Sequence, residues 1–255
     1  MWPFNKESIL YTRLMMGLVK IYVFVFCFCC LFTGLTNGIE KNDLENETVI
    51  ILHGLGRTQR SMAKIARAVK GQGYHVVNIN YASRKDDLNT IIETRLKPIV
   101  EANIVAKKVH FVTHSMGGIL VRKYLDLYPL KNIGNVVMLA PPNRGSELVD
   151  RLGKNFFYRW VLGPAFLELS TDSASVPNQL PLPNYSVGVI IGTKSLNPYF
   201  SAIIPGEDDG KVSTFSAILP GRPYIKLPVS HTWIMTNSEV IKNTLYFLKH
   251  SGFMI

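Results

Sequence analysis

Apolar and polar positions along this chain alternate in blocks that are typical of strands followed by helices. Runs rich in β-branched residues end at glycine or a polar residue, and apolar positions at helical spacing follow them. The predicted strands are 48–54, 74–81, 108–115, 135–142 and 186–193. The predicted helices are 60–73, 87–103 with a break expected at Pro98, 117–128, and 238–250 with Ser238 as its cap. This order predicts an α/β fold, a mostly parallel sheet with helices on both faces.

The interval from Gly145 to Tyr185 departs from this regular alternation. Its stretch "FFYRWVLGPAFLEL", residues 156–169, is dense in aromatic residues and is interrupted by Gly163 and Pro164. Two interpretations are open: a pair of core helices, or a small cap at about 146–185 that covers a site. The length of 255 residues favours one domain, expected at 39–255, with this cap as a part of it.

The amino-terminal segment 1–38 has a different character. Residues 21–35, "IYVFVFCFCCLFTGL", contain about thirteen strongly apolar residues, preceded by Arg13 and Lys20. A membrane-spanning helix needs about twenty such residues. We therefore predict a signal peptide that is cleaved after Gly38, with translation starting at Met15 or Met16. An uncleaved anchor is the open alternative, and in either case the chain is exported: secreted, periplasmic or membrane-anchored.

Composition narrows the range of functions. All three cysteines (Cys27, Cys29 and Cys30) lie in the amino-terminal segment, so the mature chain is expected to lack disulfides and cysteine ligands. The net charge of +10 is spread along the chain, which is typical of a soluble basic protein or of one attracted to an anionic membrane surface. No nucleic-acid-binding module accompanies the charge, so we expect no nucleic-acid partner.

The segment "HFVTHSMGGI", residues 110–119, carries the clearest candidate chemistry. A predicted strand ends at Ser115, and two glycines open the next helix. This arrangement approximates the G-x-S-x-G elbow, in which a strained turn exposes a nucleophilic serine, although Thr113 replaces the first glycine. The alternative is that Ser115 merely caps the helix.

A serine nucleophile needs a nearby imidazole as its base, and in this fold the base follows the serine in the chain. Only His231 and His250 come after Ser115. His250 ends the last helix, where a solvated position is expected. His231 lies in the loop "KLPVSHTWIM" before that helix, so it is the predicted base.

The base must in turn be oriented by a carboxylate. The segment "GEDDGKVSTFSA", residues 206–217, offers Asp209, with Asp208 as the alternative acid and Asp172 as a weaker candidate. Together with Glu207, the two aspartates can also be read as an acidic surface turn or a cation site.

The remaining requirement is an oxyanion hole for the charge that develops on the carbonyl oxygen. The backbone amide of Met116, directly after the nucleophile, is one predicted donor. The second is expected from the loop "HGLGR", residues 53–57, whose two glycines follow the first strand.

Five segments also resemble a known family: "ILHGLGRT", "VTHSMGGILVRKYL", "LAPPNRGSELVD", "DDGKVS" and "SHTWIM". They are similar to the α/β-hydrolase superfamily, and most of all to small bacterial triacylglycerol lipases and esterases, from about Thr48 to the carboxyl terminus. The resemblance implies Ser115 as nucleophile, His231 as base, Asp209 as acid and the Leu55 amide as second oxyanion donor.

The predicted function is thus an exported serine hydrolase that cleaves carboxylic esters, of lipid or acyl type, through an acyl-enzyme, without a cofactor or metal. An acyltransferase, a phosphatidylinositol-type deacylase and a non-catalytic binding protein of the same fold are the alternatives. The aromatic side chains of the 146–185 segment indicate either a lipid pocket or core packing. They are Phe156, Phe157, Tyr158, Trp160 and Phe166.

Overall fold

The computed structural model describes residues 43–254. The predicted signal peptide or anchor at 1–38 lies outside the described residues. Within 43–254, no helix combines the length and the hydropathy that crossing a membrane requires.

The centre of the described domain is one sheet of six strands, all paired in parallel, in the order β2-β1-β3-β4-β5-β6. The strands are β1 Glu47–Leu52, β2 His75–Asn78, β3 Lys108–His114, β4 Ile133–Leu139, β5 Val187–Gly192 and β6 Tyr224–Leu227. The predicted α/β fold is therefore confirmed. Since parallel strands present their carboxyl ends at one edge, the loops after β1, β3, β5 and β6 meet there.

Helices connect the strands. They are α1 Ala63–Gly71, α2 Leu88–Ile91, α3 Lys97–Asn103, α4 Met116–Leu127, α5 Glu147–Leu152, α6 Phe156–Leu162, α7 Pro164–Leu167, α8 Val176–Gln179, α9 Pro198–Ser201, α10 Thr214–Ala217 and α11 Ser238–His250. A π-helical turn, Ile92–Leu96, joins α2 to α3, and short 3-10 turns lie at Asp43–Asn46, Gln59–Met62 and Ile234–Thr236.

Successive residues of the central strands pack into two separate cores, one on each face of the sheet. Ile50 and Leu52 of β1 belong to the core that contains α4, whereas Val49 and Ile51 belong to the core that contains α1 and α11. The alternation follows from the two-residue period of a strand. Helices therefore cover both faces, as the continuous apolar runs predict.

Two local expectations are corrected by the structure. The helix does not break at Pro98, which lies in the first turn of α3, where its missing N–H is tolerated. The preceding turn instead widens to π geometry. The cap of α11 is Asn237 and not Ser238, because the Asn237 side chain accepts hydrogen bonds from the N–H groups of Glu239 and Val240.

A glycine in β5 tests how tightly α11 packs on the sheet. A Cβ atom on Gly188 would lie 2.3 Å from the ring of Phe247, which is fully buried. We expect Gly188→Ala to lower the free energy of unfolding by about 1–3 kcal/mol, because the core has no room for the added methyl group.

Gly71→Ala is the matched control: no heavy atom lies within 4 Å of its added Cβ. That variant should gain about 0.4–1 kcal/mol. Urea unfolding measures both, and equal midpoints for Gly188→Ala and the unchanged protein would contradict the packing.

Candidate active site

Ser115 occupies a sharp turn between β3 and α4. Its backbone has φ 52° and ψ −123°, a region that costs a non-glycine residue about 1–3 kcal/mol. Two hydrogen bonds hold the turn: the Ser115 N–H donates to Leu139 at 2.9 Å, and the Gly118 N–H donates to the Ser115 carbonyl at 2.9 Å. The Ser115 side chain forms no capping hydrogen bond to α4. Ser115 thus occupies the N-cap position without using its hydroxyl as a cap, which weighs against the alternative that it only caps the helix.

The Thr113 side chain fits beside this turn because of a glycine on the helix. Thr113 is fully buried, and a Cβ atom on Gly118 would lie 3.3 Å from its Oγ1 and 3.1 Å from Pro141. In the usual elbow pattern, a glycine on the strand leaves space between the strand and the helix. Here Gly118 on α4 leaves that space instead. Threonine in place of the first glycine of the pattern is therefore compatible with the turn at Ser115.

His231 and Asp209 contact each other directly. Nδ1 of His231 lies 2.7 Å from Oδ2 of Asp209, and both side chains are buried. The other carboxylate oxygen accepts hydrogen bonds from the N–H groups of Lys211 and Val212 at 3.0 and 2.9 Å. The His231 N–H also donates to the Asp209 carbonyl at 2.9 Å. Since the carboxylate accepts the proton on Nδ1, the Nε2 atom is left with a free lone pair.

The adjacent carboxylates face elsewhere. Asp208 accepts hydrogen bonds from the Gly210 N–H at 2.6 Å and from the Ser201 hydroxyl at 3.0 Å. Glu207 forms an ion pair with Lys226 at 2.7 Å. Within residues 43–254, no three His, Cys, Asp or Glu residues are grouped as a metal ion would require. The structure therefore brings Asp209, and not Asp208, to His231.

The alternative base, His250, and the weaker candidate for the acid, Asp172, lie outside the cavity that contains Ser115. His250 is exposed at the end of α11, with its ring 4.3 Å from that of Tyr246. Asp172 is exposed and accepts a hydrogen bond from the Ala174 N–H at 2.7 Å. Neither side chain lines the cavity that contains Ser115.

The loop after β1 packs directly on the serine turn. A Cβ atom on Gly54 would lie 3.0 Å from the Ser115 side chain, so only glycine permits this approach. Tyr81 fixes the loop, because its hydroxyl donates to the His53 carbonyl and its ring stacks on the His53 ring at 3.9 Å. Burial lowers the pKa of His53, whose Nδ1–H donates to the Gly54 carbonyl, so this ring stays neutral.

Only some amides of this loop have partners. The Gly56 N–H donates to the Ser83 hydroxyl at 3.0 Å, and the Arg57 N–H donates to the Gly54 carbonyl at 3.2 Å. The Leu55 N–H donates to no group within residues 43–254. Met116 is the first residue of α4, so its amide has no intrahelical acceptor. These two amides are the donors that the sequence predicts.

Ser115 and His231 line one cavity of about 260 Å³. Its wall is mainly apolar and comes largely from α5, α6 and α7: Leu148, Val149, Leu152, Phe157, Tyr158, Val161, Leu162 and Phe166. A larger cavity of about 730 Å³ lies at the amino-terminal ends of the strands and contains none of the predicted site residues. Parallel sheets bind ligands at the opposite end, so the smaller cavity is the candidate site.

The aromatic residues of α6 divide between this cavity and the surface. Phe157 and Tyr158 line the cavity, whereas Phe156 and Trp160 are 81% and 73% exposed. Core packing accounts for Phe166, which is buried in one of the two cores, and for Tyr158, which packs against that core. It does not account for the exposed rings, and the expectation of an apolar pocket agrees with the lining.

His114 is a site residue that the sequence analysis missed. Its Nε2–H donates to the His231 carbonyl at 3.1 Å, and the two rings lie 4.8 Å apart. Burial, together with the nearby His231, Lys211 and Arg57, holds the pKa of His114 well below its ordinary value, so the ring is neutral. It links the end of β3 to the loop that carries His231. The only signal in the sequence is its position next to Ser115.

Comparisons with known proteins show which family and which fold the chain is similar to. The sequence model of the palmitoyl protein thioesterase family matches residues 48–180, just over half of the chain. Lysosomal thioesterase PPT2-B of Xenopus laevis is 26% identical over 115 residues. This match covers 42% of the chain and spans 40% of the length of that relative. The family match supports the predicted enzyme class, an ester hydrolase.

Solved structures share the fold. The mature form of Bacillus licheniformis lipase BlEst2 matches with a TM-score of 0.62 and 20% identity, over 79% of this chain and 91% of that one. Aspergillus fumigatus lipase B matches with a TM-score of 0.63 and 13% identity, over 85% of this chain and 56% of that one. The predicted resemblance to α/β-hydrolases of the lipase and esterase type is confirmed for the fold.

The two neighbouring aspartates provide a matched pair of variants. Asp209→Asn removes the charge that faces His231, and we expect kcat for a p-nitrophenyl ester to fall by a factor on the order of 10³–10⁴. Asp208→Asn should lower kcat by less than about 10-fold, because an amide oxygen still accepts the two hydrogen bonds of Asp208. Steady-state kinetics measures both. Equal losses, or a larger loss in Asp208→Asn, would contradict the assignment.

Proposed function

Because the chain belongs to the palmitoyl protein thioesterase family, we propose that it is a serine hydrolase of carboxylic esters and thioesters. The observation that carries the proposal is one constellation: Ser115 and His231 line the same apolar cavity, and Asp209 contacts His231 at 2.7 Å. The strained turn at Ser115 supports it, since such strain is concentrated at functional sites.

The first half of the reaction forms an acyl-enzyme. Nε2 of His231 takes the proton from the Ser115 hydroxyl while Oγ attacks the carbonyl carbon of the substrate. The Ser115 hydroxyl forms no hydrogen bond within the described residues, and catalytic hydrogen bonds of this kind often tighten only when substrate binds. The amides of Leu55 and Met116 stabilise the oxyanion, and Asp209 stabilises the imidazolium.

The second half releases both products. His231 returns its proton to the leaving alcohol or thiol, the carbonyl re-forms, and the acyl group stays on Ser115. His231 then takes a proton from water, whose oxygen attacks the acyl carbon, and the acid leaves as Ser115 regains its proton. In this scheme His231 transfers the protons, Asp209 stabilises the imidazolium and two backbone amides stabilise the oxyanion. The scheme therefore needs no metal or cofactor.

The acyl chain is expected to lie under α5, α6 and α7, where the cavity wall is apolar. We assign these helices, within 146–185, as a cap on the hydrolase domain. The exposed rings of Phe156 and Trp160, with Lys154 and Arg159 on the same segment, favour contact of this cap with an anionic lipid surface. Export through the segment 1–38 would bring the enzyme to such substrates.

Removal of the nucleophile tests the proposal. Ser115→Ala should abolish hydrolysis of p-nitrophenyl butyrate, because no attacking oxygen is left. Alanine keeps the Cβ atom of Ser115 and loses only the hydroxyl, so the fold should not change. The circular dichroism spectrum of the variant should therefore match that of the unchanged protein. A fluorophosphonate probe should label the unchanged protein and not the variant. Full activity in Ser115→Ala would refute the mechanism, and an unlabelled, inactive wild type would point to a non-catalytic binding protein.

The location of the acyl chain makes a second prediction. Val161→Trp adds volume to the cavity wall, so the ratio of kcat/KM for long-chain to short-chain p-nitrophenyl esters should fall by about 10-fold or more. Leu196→Trp is the control, because Leu196 is 61% exposed and does not line the cavity. The measurement is a chain-length series of esters. An unchanged ratio in Val161→Trp would place the acyl chain elsewhere.

A further inference from the structure

Two cations, Arg57 and Lys211, line the cavity of Ser115 and have no role in the reaction scheme above. Each lies two residues beyond a functional position: Arg57 follows Leu55, and Lys211 follows Asp209. Both are half-buried. Hydrogen bonds hold both backbones. The Lys211 N–H donates to Asp209, the Lys211 carbonyl accepts from the Ser146 hydroxyl at 3.2 Å, and the Arg57 N–H donates to the Gly54 carbonyl at 3.2 Å. The two side chains are thus held at the cavity by the same loops that carry the site.

No carboxylate of residues 43–254 forms an ion pair with either cation. Among residues 43–254, no Asp or Glu lies within 4.0 Å of either cation, and no Asp or Glu lines the cavity. Asp209 is nearby, but His231 and two backbone amides already occupy its oxygens. Burial and the charge of Arg57 lower the pKa of Lys211, and the charge of Asp209, which raises this pKa, offsets only part of the effect. Placing two like charges at an apolar cavity costs free energy unless a ligand supplies an anion.

The position of the cations indicates which part of a substrate they would meet. The Arg57 guanidinium contacts the carbonyl of Thr232 at 3.5 Å, next to His231, and Lys211 is next but one to Asp209. The base returns its proton to the leaving group, so the cations flank the side from which that group departs. The acyl side of the cavity, under α6, is apolar.

We propose that Arg57 and Lys211 form an anion subsite for a phosphate carried by the leaving alcohol, close to the ester bond that is cleaved. The inference rests on the proposed function and narrows its substrates to acyl esters of phosphorylated alcohols. A guanidinium offers paired N–H donors to two phosphate oxygens, and an ammonium adds a point charge. The subsite binds the leaving group and takes no part in proton transfer.

The test compares two soluble esters with the same acyl group, butyryl glycerol phosphate and monobutyrin. Both are monomeric, so attraction to a lipid surface does not contribute. The unchanged protein should prefer the phosphate ester in kcat/KM by about 10-fold or more. Arg57→Gln and Lys211→Gln should each lower this preference by a factor on the order of 10. The ratio is taken within each protein, so a general loss of activity cancels. Lys70→Gln, which removes an exposed cation on α1, is the matched control and should keep the ratio.

Addition of inorganic phosphate as an inhibitor distinguishes a subsite for free phosphate from a subsite for the phosphate group of a substrate. If it inhibits hydrolysis of monobutyrin but the phosphate ester is not preferred, the subsite binds free phosphate only, and the substrate assignment is overturned. Equal kcat/KM for the two esters, with Ser115-dependent activity on both and no inhibition by inorganic phosphate, overturns the subsite and leaves the proposed function intact. Absence of Ser115-dependent hydrolysis of every ester overturns the proposed function as well.

Discussion

The site depends on how closely three stretches of backbone approach one another at the end of the sheet. Gly54 lies against the Ser115 side chain, and a Cβ atom on Gly117 would lie 2.9 Å from the His53 carbonyl. Gly118 leaves the space that the Thr113 side chain needs. With these glycines the loop after β1 reaches the serine turn, so a free amide and a strained serine share one cavity. Larger residues would separate them.

Electrostatics divides the same cavity into two regions. On one side, Asp209 contacts His231, and a neutral His114 ties the base loop to the end of β3. Arg57 and Lys211 lie beside this pair without a carboxylate partner among residues 43–254. On the other side, the wall under α5, α6 and α7 is apolar. An elongated substrate with an apolar acyl chain and an anionic leaving group matches both regions.

Periodicity and motif order predict five of the six strands, the longest covering helices and the loops that meet at the carboxyl end of the sheet, because burial on both faces leaves continuous apolar runs. The sixth strand, β6, is short and only half-buried, so it leaves no such run. Periodicity and motif order favour Asp209 but do not exclude Asp208, since the direction of consecutive side chains depends on a turn in which Gly210 has φ 94°. Nor do they place Arg57 near Lys211, whose loops follow different strands. The fit of Thr113 depends on Gly118, five residues later. These features are set by tertiary packing, which a single sequence does not display.

The central claim is that Ser115 attacks a carbonyl whose oxygen is held by two backbone amides. A crystal structure of the protein after reaction with an alkyl phosphonate ester tests it most directly. The account predicts phosphorus bonded to Ser115 Oγ, a phosphoryl oxygen within hydrogen-bond distance of the amides of both Leu55 and Met116, and the alkyl chain under α6. A phosphonate bonded to another residue, or an unmodified Ser115, would contradict it.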